Sequence, residues 1–280
     1  MKERKVKIAH ICACVLACFW GLAGNPAQAD DDLPKWEAGI GLSTLRIPDY
    51  RGSDEAQTYV LPFPYFIYRG DKLKVDRDGV RGELFNTDRA RLEISLGATV
   101  PVNSSKNAAR TGMPNLDASI EIGPSFEYTL ARSDDRRMKL DFRLPVRTGF
   151  TFGSSPFGRN IGLVATPGLN LDVKDVMGLP GWNLGVVGGL LYGSARNHAY
   201  YYGVEQQYAS ANRPAYTARG GYGGTQLIMA LSKRFDSVWV GAFARADALS
   251  GAVFEDSPLV RSKSYVTAGV GVAWIFKESR

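Results

Sequence analysis

The chain has 280 residues, of which 45% are hydrophobic and 22% are charged, and its formal net charge is +6. The three cysteines are Cys12, Cys14 and Cys18, and the two histidines are His10 and His198. Beyond position 18 the chain therefore has no disulfide, no thiol nucleophile and no zinc site of cysteine and histidine ligands. We expect no metal, no cofactor and no enzymatic activity.

The N-terminal segment has the three parts of a secretory signal peptide. Four basic residues at positions 2, 4, 5 and 7 precede an apolar run at 8–24, and AQA at 27–29 is a small-residue cleavage site. We predict a signal peptide at 1–29 and an outer-membrane β-barrel domain at 30–280. A membrane-spanning helix and a lipoprotein signal ending at Cys18 are weaker alternatives. Cleavage leaves 30 basic and 27 acidic residues, a net charge of +3, so we expect no nucleic-acid partner.

Most of the remaining chain alternates between apolar and polar residues with a period of two. The clearest segment is LDASIEIGPSFEYTL at 116–130, in which every even position is apolar. This period predicts β-strands with one apolar and one polar face. Twelve strands are predicted, at 35–46, 57–68, 71–77, 79–86, 89–102, 115–131, 136–152, 161–174, 182–193, 222–235, 238–253 and 264–276. The third and fourth are short, which leaves ten full strands and a hairpin as the alternative.

Strand length and charge distinguish a membrane barrel from a soluble β-sandwich, which also alternates. Several predicted strands run for 12 to 16 residues, whereas strands in soluble proteins usually have about five or six. A tilted strand needs about 9 to 11 residues to cross the hydrocarbon layer. Charged residues on the polar face are ordinary in a wet lumen and costly in a dry core. The fold class predicted is all-β, a closed antiparallel transmembrane β-barrel in contact with outer-membrane lipid.

Prolines, loops and aromatic residues refine this barrel. Pro124, Pro145 and Pro167 cannot donate to a ladder, so we expect them at bulges or strand ends. Short and long connections alternate, and in bacterial barrels the short turns face the periplasm while the long loops face outward. The protein is therefore expected in the outer membrane of a Gram-negative cell. Aromatic residues near strand ends suit interfacial girdles: Trp36, Tyr65, Tyr68, Phe150, Phe152, Trp182, Tyr192, Trp239 and Trp274.

Two sets of charged residues are candidate functional groups. The candidate lumen charges are Glu121, Glu127, Lys139, Asp141, Arg143 and Arg147, which share the inward face of two neighbouring strands. They either line a narrow pore or fill the lumen with ion pairs, and filling is favoured because a barrel of ten to twelve strands is small. The candidate periplasmic partner turn is Asp134, Asp135, Arg136 and Arg137. His198 lies in the longest loop and is interpreted as part of a surface aromatic cluster rather than as a catalytic base.

Several short motifs together resemble the MipA/OmpV family of outer-membrane proteins. They are PDYRGSDE at 48–55, PFPYF at 62–66, DGVRG at 78–82, GGYG at 220–223, SPLV at 257–260 and GVAWIF at 271–276. The resemblance implies a scaffold that links a lytic transglycosylase, a periplasmic murein hydrolase, to a peptidoglycan synthase. Other relatives are described as surface antigens, adhesins or passage routes for small molecules, so a channel or adhesin is the alternative.

Overall fold

Antiparallel β-strands dominate the chain. A computed structural model describes residues 34–70, 73–76, 79–153 and 158–279, so the expected signal peptide, 1–29, lies outside the described residues. In the described part the strands are β1 (Trp36–Pro48), β2 (Ala56–Arg69), β3 (Leu73–Asp76), β4 (Gly79–Asn86), β5 (Ala90–Thr99), β6 (Ala118–Arg132), β7 (Met138–Phe152), β8 (Asn160–Ala165), β9 (Gly168–Val173), β10 (Trp182–Gly193), β11 (Gly221–Phe235), β12 (Val238–Ala248) and β13 (Ser264–Glu278), and the α-helix is α1 (Ala195–Tyr202).

The strands form one closed ring. Each strand from β1 to β7 pairs with the next, β7 pairs with both β8 and β9, and both of these pair with β10. Pairing continues through β11, β12 and β13, and β13 returns to β1 with Ile40 opposite Trp274. Since β8 and β9 share one position, the ring has twelve positions. The predicted closed barrel is confirmed, with twelve strands rather than ten. Closure removes the sheet edges that lipid could not satisfy.

Apolar side chains cover the outside of this ring, and polar side chains face into it from β6, β7 and part of β1. In β6, Phe126 is 39% exposed while its neighbour Glu127 is 3% exposed. The same alternation holds in β1, where Ile40 and Leu42 are exposed and Ser43 is buried. An apolar exterior around a polar interior is the arrangement of a barrel in lipid.

Some strand boundaries differ from the sequence prediction. The strand predicted at 161–174 is divided into β8 and β9, because Pro167 lies between them and cannot donate to the ladder. Pro124 and Pro145 instead lie inside β6 and β7, and the pairing of these two strands omits Gly123 and Pro124. The strand predicted at 238–253 ends at Ala248, since Leu249 and the residues after it pack with the long loops.

The two ends of the barrel are unlike. Short turns at 87–89, 133–137 and 236–237 and the segment 174–181 lie at one end. At the other end the loops 49–55, 100–117, 194–220 and 249–263 are long, and the third of these contains α1. By the rule for bacterial barrels, the short-turn end is periplasmic and the long-loop end is extracellular.

In the part of the chain that the structure covers, none of the helices has the length and apolar character needed to cross a membrane.

Candidate functional site

A network of ion pairs occupies the periplasmic half of the lumen. Its centre is the buried carboxylate of Glu127, which lies 3.0 Å from Lys139 Nζ, 3.1 Å from Arg143 Nε and 3.7 Å from Arg91 Nη1. Lys139 Nζ also lies 2.9 Å from Asp141 Oδ2, and Thr129 donates a hydrogen bond to Asp141. Paired and hydrogen-bonded in this way, the charges are tolerated away from bulk water.

The six candidate lumen charges all lie on the inward face of β6 and β7. Four of them, Glu127, Lys139, Asp141 and Arg143, belong to the network just described. Glu121 and Arg147 form a separate pair, 3.5 Å apart, closer to the extracellular end. Arg91 on β5 was missed by the sequence reasoning. Arg91 lies on the inward face directly opposite Glu127, so it could have been predicted once β5 and β6 were known to be neighbours.

A second cluster fills the lumen beside β1, β2, β12 and β13. Glu37 accepts a hydrogen bond of 2.6 Å from Arg69 Nη2 and lies 3.4 Å from Arg234 Nε. Next to it, Tyr65 and Trp239 pack with ring centroids 6.0 Å apart in an apolar cluster with Phe63, Ile67, Ala273 and Ile275. The girdle expectation is therefore wrong for Tyr65 and Trp239, whose side chains are buried on the lumen side. Trp274 and Tyr192 are exposed, as a girdle requires.

The extracellular mouth is covered by a dome, which we define as the loops 49–55, 100–117, 194–220 and 249–263. Buried apolar side chains form its core: Tyr50, Val102, Ala109, Leu116, Tyr202, Val204, Ala218, Leu249, Ala252, Phe254 and Leu259. Tyr50 Oη donates to the Leu259 carbonyl at 2.8 Å, and Ser257 Oγ donates to the Tyr202 carbonyl at 2.7 Å. Burial raises the pKa of the Tyr50 hydroxyl to about 12. The long loops are thus a packed structure of their own.

Arg110 connects three parts of this dome. Its guanidinium donates to the carbonyls of Tyr201 and Pro114 and to Ser104 Oγ, and it lies over the Tyr50 ring. Burial lowers the pKa of the Arg110 guanidinium. One side chain therefore satisfies backbone groups from two different loops.

His198 lies inside the dome and not on its surface. It belongs to α1, which begins after Ser194, whose Oγ accepts a hydrogen bond from Asn197 N. The His198 ring packs on Phe254 at 4.6 Å, and its Nδ1 lies 2.7 Å from the Arg219 carbonyl. Burial lowers the pKa of His198, against the raising effect of the Arg219 carbonyl. The interpretation as a surface aromatic cluster is wrong, because α1 turns its His198 and Tyr202 side chains into the dome core.

A cavity of about 480 Å³ lies between the dome and the ion-pair network. Arg51, Tyr201 and Tyr202 are on its dome side, while Arg143 and Asn170 are on its periplasmic side. Across the lumen, the wall includes apolar side chains from β10, β11 and β12, namely Val187, Ile228 and Phe243.

One wall of the cavity carries a further ion-pair centre, which the sequence reasoning missed. Asp247 receives two hydrogen bonds from Arg245, at 2.6 and 2.8 Å, and one of 3.1 Å from Arg51 Nε. Arg51 Nε also donates to Tyr265 Oη at 3.1 Å. Arg245 and Asp247 lie at inward-facing positions of β12, so the alternation of apolar and polar residues could have predicted that they face the lumen. Arg51 comes from a long loop, and nothing local to its sequence places it in the lumen.

The candidate partner turn lies at the periplasmic end and is exposed. Asp135 Oδ1 accepts hydrogen bonds from Ser133 Oγ and from Arg137 N, and these bonds lower the pKa of the Asp135 carboxyl. Arg136 adopts a positive φ of 56°. Asp134 and Arg136 are exposed, and Arg137 also reaches the adjacent segment, where its Nε is 3.8 Å from an Asp175 carboxylate oxygen.

In the segment next to this turn, residues 174–181, the apolar side chain of Met177 is exposed. Met177 is 91% exposed and has φ of +56°, and Asp175 has φ of +50°. Asp175 Oδ1 accepts from Gly181 N at 2.7 Å, and Lys233 Nζ donates to the Pro180 carbonyl at 2.9 Å. Positive φ at residues other than glycine is uncommon, so the surrounding bonds must hold this conformation.

Among the described residues, no group of three or more histidine, cysteine, aspartate and glutamate side chains is arranged to hold a metal ion.

Comparison with known proteins gives one family match. The family described as MltA-interacting protein MipA matches residues 40–276. No curated protein matches the chain.

Solved structures similar to the chain include three outer-membrane proteins. A bacterial polysaccharide outer membrane secretin is 9% identical, with 88% of this chain and 100% of that chain covered and a TM-score of 0.43. The NanC porin is also 9% identical, with 84% and 98% covered and a TM-score of 0.39. Outer membrane phospholipase A from Escherichia coli is 12% identical, with 94% and 98% covered and a TM-score of 0.35.

Proposed function

The chain belongs to the MltA-interacting protein MipA family and is an outer-membrane β-barrel, and from this premise we propose that it is a non-enzymatic scaffold for cell-wall enzymes. Its partners are a periplasmic lytic transglycosylase, which is a murein hydrolase, and a peptidoglycan synthase. The family description names an interaction with MltA, which supports the murein hydrolase as a partner. The synthase is the second partner that the family resemblance implies. The barrel anchors both enzymes at the inner surface of the outer membrane.

The observation that carries the proposal is a continuous exposed surface at the periplasmic end. We call it the docking surface and define it as residues 133–137 and 174–181. The two segments are joined directly, because Lys174 N donates to the Arg137 carbonyl at 2.7 Å. Met177 and Leu179 are its exposed apolar residues, and Arg136 and Arg137 are its exposed cations. Exposed apolar side chains bordered by charges are typical of protein interaction sites.

Rigidity also supports a docking role. A surface that is already ordered loses less conformational entropy when a partner binds. The hydrogen bonds of Asp175 and Lys233 hold the segment 174–181, and those of Asp135 hold the turn 133–137. Methionine adapts its shape to a partner at little cost, which suits Met177 as the central contact.

The channel and adhesin alternatives find less support. A channel needs an open path, but the dome packs over one mouth and ion pairs and aromatic side chains occupy the periplasmic half of the lumen. An adhesin needs a binding patch on the loop 194–220. Residues 205–207 and 210–212 of this loop are exposed, but the aromatic side chains of α1, Tyr200, Tyr201 and Tyr202, pack in or against the dome core.

Binding of the purified barrel in detergent to a purified MltA-type lytic transglycosylase tests the proposal. We expect R136E/R137E to lower the affinity by tenfold or more, since charges at an interface rim steer association. We expect M177S to lower it by roughly fivefold or more, because exposed apolar anchors carry much of the binding energy. The matched control is K106E/R261E, which makes the same change of charge at exposed residues of the dome.

Equal loss of affinity in the dome control would mean that net charge, and not the docking surface, controls the interaction. Unchanged affinity in both docking-surface variants would refute the proposed site. A barrel that binds no lytic transglycosylase and no peptidoglycan synthase at micromolar concentrations would refute the scaffold itself.

A further inference from the structure

The cavity beneath the dome has a wall whose accessible charge is mainly positive. Arg51, Arg143, Arg147 and Arg245 line it, and between 20% and 30% of each side chain is accessible. The carboxylates that pair with them are more hidden: the accessible fraction of the side chain is 0% for Asp247, 3% for Glu127 and 15% for Glu121. A solute entering the cavity therefore meets guanidinium groups in front of carboxylates.

The other acidic residues of the cavity wall do not make its accessible charge negative. Glu93 is buried. Asp49 Oδ2 accepts a hydrogen bond of 2.8 Å from Asn107 Nδ2, which directs that carboxylate toward the dome. Among the charged groups of the wall, those most accessible to a ligand are thus guanidinium donors, which is the chemistry that recognises carboxylates and phosphates.

The shape and the apolar part of the wall fix the size and kind of ligand. A volume of about 480 Å³ falls in the range of about 300 to 1,000 Å³ typical of small-molecule sites. Val187, Ile228 and Phe243 supply apolar surface for a carbon skeleton, and Tyr201 and Tyr202 close the dome side. Charge interactions are strengthened where bulk water is excluded.

We propose that this cavity binds a small organic anion carrying a carboxylate or phosphate group. Arg51 and Arg245 hold the anionic group from the β12 side and the dome, and Arg143 and Arg147 face it from β7. The site is separate from the periplasmic docking surface, so a result that refutes the scaffold role does not refute the anion site, and the reverse also holds.

Titration calorimetry on the purified full barrel in detergent tests the site with three probes built on one hexose skeleton: glucuronate, glucose 6-phosphate and glucose. We expect the two anions to bind and glucose to bind at least tenfold more weakly, because only the anions engage the arginines. Comparison of glucuronate with glucose 6-phosphate decides between carboxylate and phosphate. Glucose binding as tightly as both anions, or no binding of either anion at millimolar concentration, would overturn the proposal.

Variants assign the binding to this cavity. R51Q/R147Q is expected to raise the Kd of both anions at least tenfold, while R137Q on the docking surface leaves it unchanged. Thermal unfolding of each variant checks that the barrel is folded. Should the double variant not fold, R147Q alone is the second test. This variant loses only a 3.5 Å contact with Glu121 and should therefore fold. We expect it to raise the Kd about threefold. An unchanged Kd in the folded variants would also overturn the assignment.

Discussion

Replacing Lys139 by methionine should destabilise the barrel by about 3 kcal/mol, because the ammonium group serves two buried carboxylates. Breaking a buried ion pair from one side costs about 3–5 kcal/mol. The lower end of this range applies because Glu127 still has two cations nearby in the variant, Arg143 at 3.1 Å and Arg91 at 3.7 Å. Asp141 is affected more, since its remaining bond shown by the structure is the one from Thr129.

A second substitution isolates this cause. K139M/D141N removes the carboxylate that K139M leaves without its cation, so we expect it to recover about half of the lost stability. Urea unfolding of the barrel in detergent, followed by tryptophan fluorescence, gives the free energies. K263M is the matched control, because the exposed Lys263 lies 3.8 Å from the half-buried Glu255, and ion pairs at the surface contribute at most about 1 kcal/mol.

Either of two results would contradict a tightly paired, water-poor network in the lumen. One is a K139M barrel that unfolds within about 0.5 kcal/mol of the unsubstituted protein, which would mean that water already screens the network. The other is a double variant less stable than K139M, which would mean that Asp141 does not depend on Lys139.

Three further predictions concern the lipid face and the dome. V270R places a charge on the exposed outer face of β13 and should cost about 2–4 kcal/mol in the same urea assay if it lies near the bilayer midplane; a neutral effect would count against lipid contact there. Deleting 195–219 should raise the ion conductance of the barrel in planar bilayers above that of the intact protein, and equal conductance would show that the side chains filling the periplasmic half of the lumen, and not the dome, limit conduction. Because burial lowers the pKa of His198, the dome loses stability as the pH falls below about 6.5, the ordinary histidine value. The protection factors of residues 195–219, which are exchange rates corrected for the base-catalysed intrinsic rate, should therefore be lower at pH 5 than at pH 8, and H198F should remove the histidine contribution to this difference.

The barrel and the facing of its residues could be read from the sequence because both depend on local alternation. A period of two assigns each side chain to one face, so the inward placement of Glu127 and Arg143 follows from counting. Even Arg245 and Asp247 were within reach of that counting. The girdle expectation failed for Tyr65 and Trp239, because position near a strand end does not say which face an aromatic residue occupies.

Partners across the lumen could not be read in this way. Arg51 and Asp247 are separated by 196 positions and meet only because a long loop folds back into the mouth of the closed ring. The same holds for Tyr50 and Leu259 in the dome. Irregular loops have no period, so no local pattern indicates which of them pack together.

The sequence by itself determined that the exterior is apolar, that the interior is charged and that long strands cross the bilayer, since each of these depends on neighbouring residues along one strand. Only the tertiary structure decided that the long loops form a packed dome, that the lumen is partly filled and that a cavity remains between them. The physical reason is that closure of the barrel brings strands and loops that are distant in sequence into contact, and no local sequence pattern indicates such contacts.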